Sequence, residues 1–261
     1  PGAQQVAVFD TAFHQTMPEE ASTYALPLKL RTEMGIRRYG FHGISHAYVA
    51  RRASEELGRP LETLRIITCH LGNGASVAAV NEGRSVDTSM GMTPLEGLVM
   101  GTRCGDLDPA VVLRLLEDGG LSSDEVDAVL NEESGLLGLS GSSSDMREVI
   151  EASGHGDERA ELALRVFCYR VRKYIGAYAA SLGGVDAVVF TAGIGENEPV
   201  VRSMACEGLG FLGVILDEQA NESGATRIGT GPVEVLLIET DEELAIAMEV
   251  ARLLAGRPSH D

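Results

Sequence analysis

The stretch at residues 84–109 limits what this chain can fold into more than any other. It holds several glycines, two prolines, two arginines and four carboxylates, and its apolar residues follow neither helical nor strand periodicity. Irregular connections longer than about 12–15 residues in a compact domain are usually functional or disordered. Because the methionines, Leu95 and Leu98 argue against disorder, we predict an ordered active-site loop, called the organising loop below.

Arg103 is the candidate functional residue of the organising loop. Gly101 and Gly105 flank it, so the backbone there can approach a ligand closely. The guanidinium group presents a fixed fork of donors that suits a phosphate or a carboxylate. The alternative interpretation is an arginine in a surface turn.

Composition excludes several classes of partner. The 261 residues carry a formal net charge of −18, which opposes binding to nucleic acid or to an anionic membrane surface. No apolar run approaches the ~18 residues of a membrane span. Four widely spaced cysteines without zinc spacing indicate reduced thiols and a cytoplasmic location. The length fits one large domain or two small ones.

The chain opens without a Met, and residues 6–10 read as a strand that needs neighbours to pair with. We therefore expect that the first residues of the natural protein are missing. The predicted strand ends on Asp10, and ligands of α/β sheets bind near the carboxyl ends of strands. Asp10 is a candidate site residue on that ground, although an Asp that starts a turn is common.

Residues 37–46 contain two histidines, His42 and His46, spaced i and i+4 before an amphipathic helix predicted over 47–57. A metal site is the weaker interpretation, because Gly43 lies between them and no third ligand is near. The stronger one is that Gly40 and Gly43 let the backbone approach a ligand, that His42 donates a hydrogen bond to it, and that His46 supports the helix.

Two apolar runs at 64–70 and 77–80 flank a glycine-rich turn, which is a strong hairpin signal. In the simplest interpretation Gly72 and Gly74 only supply positive φ angles to that turn. In the functional interpretation, which we favour because His70 and Asn73 crowd the same tip, the backbone N–H groups form a nest for an anion.

The second half of the chain alternates helices and strands. We predict helices over 109–116 and 123–130, the latter capped by Ser122 or Ser123, and a long helix over 157–182. Residues 134–147 have the composition of a linker, but their leucines indicate packing, and Asp145 is expected to cap the next helix. Residues 185–200 read as a buried strand, a glycine turn and a helix start, an arrangement suited to nucleotide phosphates. A strand over 233–238 and a helix over 244–254 close the chain.

Five blocks of sequence, taken together and in order, resemble the acetate and propionate kinase family. They are residues 8–14, 38–43, 68–74, 87–97 with Arg103, and 190–197. The resemblance runs along the whole chain, which looks like the last two thirds of a family member. It implies an α/β, ribonuclease-H-like fold of the actin, sugar-kinase and heat-shock ATPase superfamily, with a mixed sheet flanked by helices.

The same resemblance implies a division into domains. Residues 1–12 would be a remnant of the first kinase domain, residues 13–243 the second, nucleotide-binding domain, and residues 244–261 a helix that returns to the first. The absent part would carry further phosphate, Mg²⁺ and substrate contacts.

The implied activity is reversible transfer of the γ-phosphoryl group of ATP to acetate, with Mg²⁺, to give acetyl phosphate and ADP in a homodimer. Asp10, His42 and Arg103 would be catalytic, Phe41 and Pro94 would wall the acetate pocket, and Glu242 would bind Mg²⁺, with Glu243 as the alternative. The implied ATP-binding residues are His70, Leu71, Gly72, Asn73, Gly74, Asp145, Met146, Arg147, Gly193, Ile194, Gly195, Glu196 and Asn197.

Phosphoryl transfer requires positioning and positive groups around the equatorial oxygens, which we expect from Arg103, His42 and His70. Two other readings stay open. One is a fragment that binds ADP without turnover, and the other is a kinase whose acceptor is propionate or butyrate.

Overall fold

The structure, a computed structural model, describes residues 5–255. Its sheet has five strands: β1 Arg65–Leu71, β2 Ala75–Asn81, β3 Arg84–Thr88, β4 Ala187–Thr191 and β5 Glu234–Leu237. The strand order is β3-β2-β1-β4-β5. The pairs β3–β2 and β2–β1 are antiparallel, whereas β1–β4 and β4–β5 are parallel. This is the mixed sheet expected for a ribonuclease-H-like domain.

Twelve α-helices lie in the described part of the chain: α1 Glu19–Ser22, α2 Leu28–Met34, α3 Gly43–Leu57, α4 Pro109–Glu117, α5 Ser123–Asn131, α6 Gly135–Ser140, α7 Met146–Gly154, α8 Glu158–Ser181, α9 Ala192–Asn197, α10 Pro199–Cys206, α11 Glu218–Ser223 and α12 Glu242–Ala255. Three short 3₁₀ helices span Ala12–Thr16, Leu61–Thr63 and Leu209–Leu212. None of the helices within residues 5–255 is long and apolar enough to span a membrane.

The two faces of the sheet bury different cores. Side chains alternate along a strand, so Ile67, Cys69 and Leu71 of β1 enter the large core that α8 covers. Ile66 enters a smaller core beneath α3. The same alternation directs His70 to the α3 face. A polar side chain in an otherwise apolar strand is thereby delivered to one side of the sheet, where the candidate site lies.

Local capping signals are confirmed. Ser122 forms a capping box with Glu125 at the start of α5. The Asp145 carboxylate accepts the backbone N–H of Arg147 and caps α7. The long helix predicted over 157–182 is α8, and the hairpin predicted over 64–80 is β1 and β2. The linker-like stretch is packed as its leucines indicated, since Leu136 is buried.

Four expectations of secondary structure are wrong. Residues 6–10 pair with no strand among the described residues. The organising loop begins with β3, because an edge strand needs only one neighbour and β2 supplies it. Residues 192–197 form a helix directly after β4 instead of a glycine turn. Gly72 and Gly74 do not adopt positive φ.

Helix α3 begins at Gly43, four residues before its predicted start. The reason is a cap from a distant segment. The Asp10 carboxylate accepts the N–H groups of His42, at 2.6 Å, and Ile44, at 3.3 Å, while the Asp10 carbonyl accepts that of Gly43, at 2.9 Å. A carboxylate at a helix N-terminus also interacts favourably with the helix dipole.

Candidate active site

The organising loop is ordered because both of its flanks are anchored. Arg38 forms a 2.5 Å ion pair with Glu96 and donates to the carbonyls of Thr88, Ser89 and Met90. On the other flank Asp106 accepts the Gly97 N–H and the Tyr174 hydroxyl. The side chains of Met90, Leu98 and Met100 are fully buried in the large core. The predicted order of this loop is confirmed.

Arg103 is held with its guanidinium group beside the hairpin tip. Nη1 donates to the Pro94 carbonyl at 3.3 Å and contacts the Met100 sulfur at 3.5 Å. A methyl group built on Gly74 would lie 3.4 Å from Arg103 Nη1 and 3.5 Å from His42 Nε2. Gly74 therefore leaves room between these two side chains, which come from opposite sides of the tip. The partial burial of Arg103 and its contact with the Pro94 carbonyl favour the functional interpretation over an arginine in a surface turn.

His42 has a left-handed backbone, with φ at 57°, at the N-cap of α3. Residues other than glycine seldom adopt this conformation, and it persists where surrounding contacts enforce it. Asp10 holds the His42 N–H, and Ser76 Oγ lies 2.8 Å from His42 Nδ1. Asp10 thus fixes the backbone of His42, and Ser76 fixes its ring. Phe41, the residue before it, is anchored through its carbonyl by the fully buried His14, at 3.0 Å.

Four histidines gather under α3, and their charges are suppressed. Burial lowers the pKa of His70 to about 3 and that of His14 to about 4. Burial also lowers the pKa of His42, and the Asp10 charge partly offsets this decrease. Burial holds the pKa of His46 well below its usual range. At neutral pH these rings are uncharged. The lowered pKa values of His42 and His70 favour neutral rings that donate hydrogen bonds, so Arg103 is the one permanent cation among the three groups expected to supply positive charge.

A cleft of about 640 Å³ brings together segments that are far apart in the sequence. Of the predicted ATP-binding residues it is lined by Gly72, Asn73, Asp145, Met146, Arg147, Gly193, Ile194 and Asn197, and also by Ser144 and Glu198. The hairpin tip, the start of α7 and helix α9 therefore meet as the nucleotide-binding prediction requires. The Gly101 N–H donates to the Asn73 carbonyl at 2.9 Å, which joins the organising loop to the same cleft.

Several predicted ATP-binding side chains do not face the cleft. Leu71 is fully buried in the large core, and Gly195 packs against β1. The Glu196 carboxylate accepts the N–H groups of Ala192, at 2.7 Å, and Thr240, at 3.0 Å, so it fastens α9 to the chain before α12. His70 donates to or accepts from Ser45 and lies under the hairpin tip. Leu71, Gly195 and Glu196 could therefore contribute to ATP binding only through their backbone, and their predicted role in binding stays a prediction.

Arg147 is paired with Asp145, since its Nη2 lies 2.5 Å from the Asp145 carboxylate. The side chain is otherwise exposed at the rim of the cleft, where its flat cation has free faces. The pairing raises the pKa of Arg147 and lowers that of Asp145. Asp145 is consequently a helix cap and a partner of Arg147.

Asp10 lies close enough to the candidate metal ligand Glu242 for its charge to affect the pKa of Glu242. Burial raises the pKa of Glu242, and the nearby Asp10 charge raises it further. Glu243 is exposed on the next position of α12. Within residues 5–255 no group of three or more His, Cys, Asp or Glu side chains could hold a metal ion. Two carboxylates suit a hard cation such as Mg²⁺, which keeps several waters and binds substrate phosphates.

Buried hydroxyls and Arg202 are site-supporting groups that the sequence interpretation missed. Ser76 contacts two histidines. Arg202, which is 1 % exposed, donates to the carbonyls of Gly195 and Glu196 at 2.9 and 3.0 Å and so holds the end of α9. The polar residues Thr68 and His70, spaced by two in β1, and Ser76 at the start of β2 were the available signal for the hydroxyls. No signal in the sequence marked Arg202.

Known proteins resemble this chain in sequence and in structure. The family model described as the Acetokinase family matches residues 1–248. The chain belongs to the acetokinase family. Acetate kinase of Dictyoglomus thermophilum is 58% identical over an alignment of 261 positions, gaps included, that covers 98% of this chain and 65% of the relative. Acetate kinase of Halothermothrix orenii is 60% identical over an alignment of 258 positions that covers 97% of this chain and 65% of the relative.

Solved structures of the acetokinase family superpose closely on the chain. The crystal structure of Porphyromonas gingivalis acetate kinase matches with a TM-score of 0.95 and 49% identity over 97% of this chain and 65% of that chain. A propionate kinase from Francisella tularensis matches with a TM-score of 0.89 and 45% identity, over 93% of this chain and 62% of that chain. The expected fold class is confirmed. The chain spans about 65% of the length of the curated relatives it matches.

Proposed function

We propose that this domain carries out Mg²⁺-dependent, reversible transfer of the γ-phosphoryl group of ATP to the carboxylate of acetate, giving acetyl phosphate and ADP. The supporting observation is the position of the hairpin tip. Gly72 and Asn73 line the large cleft, while Gly74 lies beside Arg103 and His42. A nucleotide in the cleft would thus direct its terminal phosphate toward Arg103, the cation beside Gly74.

The proposed reaction requires that the reacting groups be positioned and that the charge of the transition state be stabilised. Phosphoryl transfer passes through a loose transition state with charge on the equatorial oxygens, so fixed donors supply most of the catalysis. Arg103 offers a cation with a planar fork, and the neutral rings of His42 and His70 offer N–H donors. Backbone N–H groups at the hairpin tip would add further donors for the phosphates. The pair Arg147 and Asp145 would lie against the adenosine.

Asp10 and Glu242 would hold the Mg²⁺ ion. Asp10 uses part of its carboxylate to cap α3, and its remaining lone pairs are available to a cation. The ion would neutralise phosphate charge when bound. Because a cation between two carboxylates removes their mutual repulsion, the raised pKa of Glu242 supports this site. We favour Glu242 over Glu243 since it is the partly buried one of the two.

The acceptor pocket would be walled by Phe41 and Pro94. Both are partly buried and attached to the site: Phe41 precedes His42, and the Pro94 carbonyl accepts Arg103 Nη1. One extra methylene in such a pocket changes binding by only ~1–3 kcal/mol. Propionate is therefore the second candidate acceptor, and the likeness to a solved propionate kinase favours testing it. A homodimer in the cytoplasm remains part of the proposal.

The test is a coupled assay of acetate-dependent ADP formation with Mg-ATP on this 261-residue chain, with propionate and butyrate as parallel acceptors. Calorimetric titration of ADP into the same preparation accompanies it. We expect ADP binding together with acetate-dependent turnover. ADP binding without turnover for any acceptor would support a nucleotide-binding fragment instead, and absence of both would overturn the proposal for this chain.

A further inference from the structure

A chain of hydrogen bonds runs from the interior of the sheet to the ring of His42. Thr68 Oγ1 lies 2.7 Å from His46 Nδ1, and His46 Nε2 lies 2.8 Å from Ser76 Oγ. Ser76 Oγ in turn lies 2.8 Å from His42 Nδ1. Thr68, Ser76 and His46 are fully buried, so water does not compete for these contacts. The chain ends at His42 Nε2, to which no group among residues 5–255 donates or accepts.

Ser76 forces the two histidines into complementary states. A hydroxyl has one proton, and among residues 5–255 the two imidazoles are the only acceptors within hydrogen-bond distance of Ser76 Oγ. Ser76 therefore donates to one imidazole and accepts from the other. A neutral imidazole has one N–H and one lone pair. If His46 carries its proton on Nε2, Ser76 accepts it and donates to His42 Nδ1. The His42 proton must then reside on Nε2.

Thr68 decides between the two possible directions. Thr68 Oγ1 lies 2.7 Å from His46 Nδ1 and 3.5 Å from the Ala78 carbonyl. If Thr68 accepted a proton from His46 Nδ1–H, its own hydroxyl proton would have only this distant carbonyl as an acceptor. The shorter distance is a good O–H···N geometry and the longer one is outside the usual range for a hydroxyl donor. Thr68 therefore donates to His46 Nδ1, which leaves the His46 proton on Nε2.

We infer that Thr68, His46 and Ser76 act as a tautomer-setting chain that presents His42 as a neutral donor through Nε2–H, toward Gly74 and Arg103. Ser76 and His46 are then positioning residues for the proposed phosphoryl transfer, and the inference rests on that function for its catalytic meaning. The chemistry agrees, because the oxygens of a phosphate or a carboxylate only accept hydrogen bonds. The opposite tautomer would place a lone pair against them.

The experiment is long-range ¹H–¹⁵N correlation NMR of the full chain labelled at histidine, at pH 7.5 and without substrate. The His42 signals are assigned by their loss in His42→Asn. We expect a lone-pair Nδ1 and a protonated Nε2 in the unsubstituted chain. A protonated Nδ1 would overturn the inference. The tautomer is read on the unsubstituted chain, and the variant His42→Asn serves only to assign its signals.

Two variants then test the mechanism. Ser76→Ala removes the donor to His42 Nδ1, so the single tautomer should give way to a mixture. Thr68→Val removes the hydroxyl that donates to His46 Nδ1. It should also give a mixture of His42 tautomers, although it changes no group that contacts His42. The matched control is Ser85→Ala, since Ser85 is a buried serine whose hydroxyl lies 2.7 Å from Nδ1 of another histidine, His14. An unchanged His42 tautomer in both Ser76→Ala and Thr68→Val would contradict the chain.

Measurements of turnover distinguish a failure of this inference from a failure of the proposed function. In an active preparation, Ser76→Ala should lower kcat by about 10- to 100-fold, as is typical when a group that fixes a histidine tautomer is lost, with the KM for ATP nearly unchanged. If the unsubstituted chain has no kinase activity, the proposed function fails while the NMR spectrum still decides the tautomer. A full tautomer mixture with unaltered kcat would show that the chain of hydrogen bonds has no role in transfer.

Discussion

The ring of His42 stacks on the ring of His70, with the centroids 4.1 Å apart and the planes inclined by 21°. Two imidazolium cations at this separation would repel each other strongly. Burial keeps the pKa of both rings low, so they stack as neutral groups. The arrangement places two uncharged donors next to a single cation, Arg103, at the tip of the β1–β2 hairpin.

Stability should therefore fall as the pH drops through the range in which free histidine protonates. The unfolded chain binds protons near pH 6.5, whereas folded His14 and His70 bind them near 4 and 3. The stability that these two neutral rings contribute is fully present above pH 6.5. As the pH falls toward the folded pKa values, the free energy of unfolding decreases by about 1.4 kcal/mol per pH unit for each histidine. Urea unfolding at pH 7.5, 6.0 and 5.0 measures this slope. His14→Gln should reduce the slope relative to the unsubstituted chain. Equal slopes in the variant and the unsubstituted chain would contradict the neutral state of His14.

Gly74→Ala should impair turnover while the fold persists. The position does not require a positive φ, so alanine is tolerated by the backbone. The added methyl group would lie between Arg103 Nη1 and His42 Nε2, where we place the transferred phosphoryl group. We expect kcat/KM to fall about 100-fold, since small misplacements of reacting groups are costly. Gly176→Ala, whose methyl group meets nothing within 4 Å, is the control with normal turnover. Full activity of Gly74→Ala would place the reaction elsewhere.

Glu242→Gln should weaken the effect of Mg²⁺ on ADP binding. The substitution keeps the size of the side chain and removes the charge that a hard cation requires. Calorimetric titrations of ADP at increasing Mg²⁺ should show an apparent Mg²⁺ affinity at least about tenfold weaker, since even indirect supporting groups cost this much. Glu243→Gln, one position further along α12, should match the unsubstituted chain. The reverse result would assign the metal to Glu243.

Arg202→Met should destabilise the domain. The guanidinium group is buried and satisfies the carbonyls of Gly195, Glu196 and Asn221 as well as the Asn221 side chain. Methionine would fill part of the volume but would not donate to the carbonyls of Gly195 and Glu196 or to the Asn221 side-chain oxygen, at about 1–3 kcal/mol for each acceptor that water does not reach. The Asn221 carbonyl keeps the Gly224 N–H as a donor. We expect the free energy of unfolding in urea to fall by about 3 kcal/mol or more. The exposed Arg159→Met is the control, and equal midpoints would contradict the role of Arg202.

Sequence patterns predicted the elements whose signals are local. The capping box of Ser122 and Glu125 lies within one turn of helix, and the β1–β2 hairpin joins adjacent strands, so neighbouring residues carry the whole signal. The anchoring of the organising loop was predictable only in outline, from its apolar residues. Its first residues became β3 because β2 offered a free edge, which no local pattern reveals.

The fine structure of the site depends on partners far apart in the chain. Asp10 was a candidate for its position after a strand that does not form, and it caps α3 instead. Ser76 contacts His42 across 34 positions, and Arg202 contacts Asn221 across 19. The charge state of the histidines follows from burial, which periodicity does not measure. The resemblance supplied candidate residues, and the structure gives the contacts of each.

The central claim is that Arg103 supplies the charge for phosphoryl transfer at the hairpin tip. Its most direct test compares Arg103→Ala with the exposed Arg114→Ala in the acetate-dependent assay, with ADP calorimetry and thermal unfolding on the same preparations. We predict that Arg103→Ala loses about 100- to 1000-fold in kcat, the usual cost of removing one transition-state donor, while ADP affinity and Tm remain within error. Arg114→Ala should behave like the unsubstituted chain. Near-normal turnover of Arg103→Ala would contradict the account.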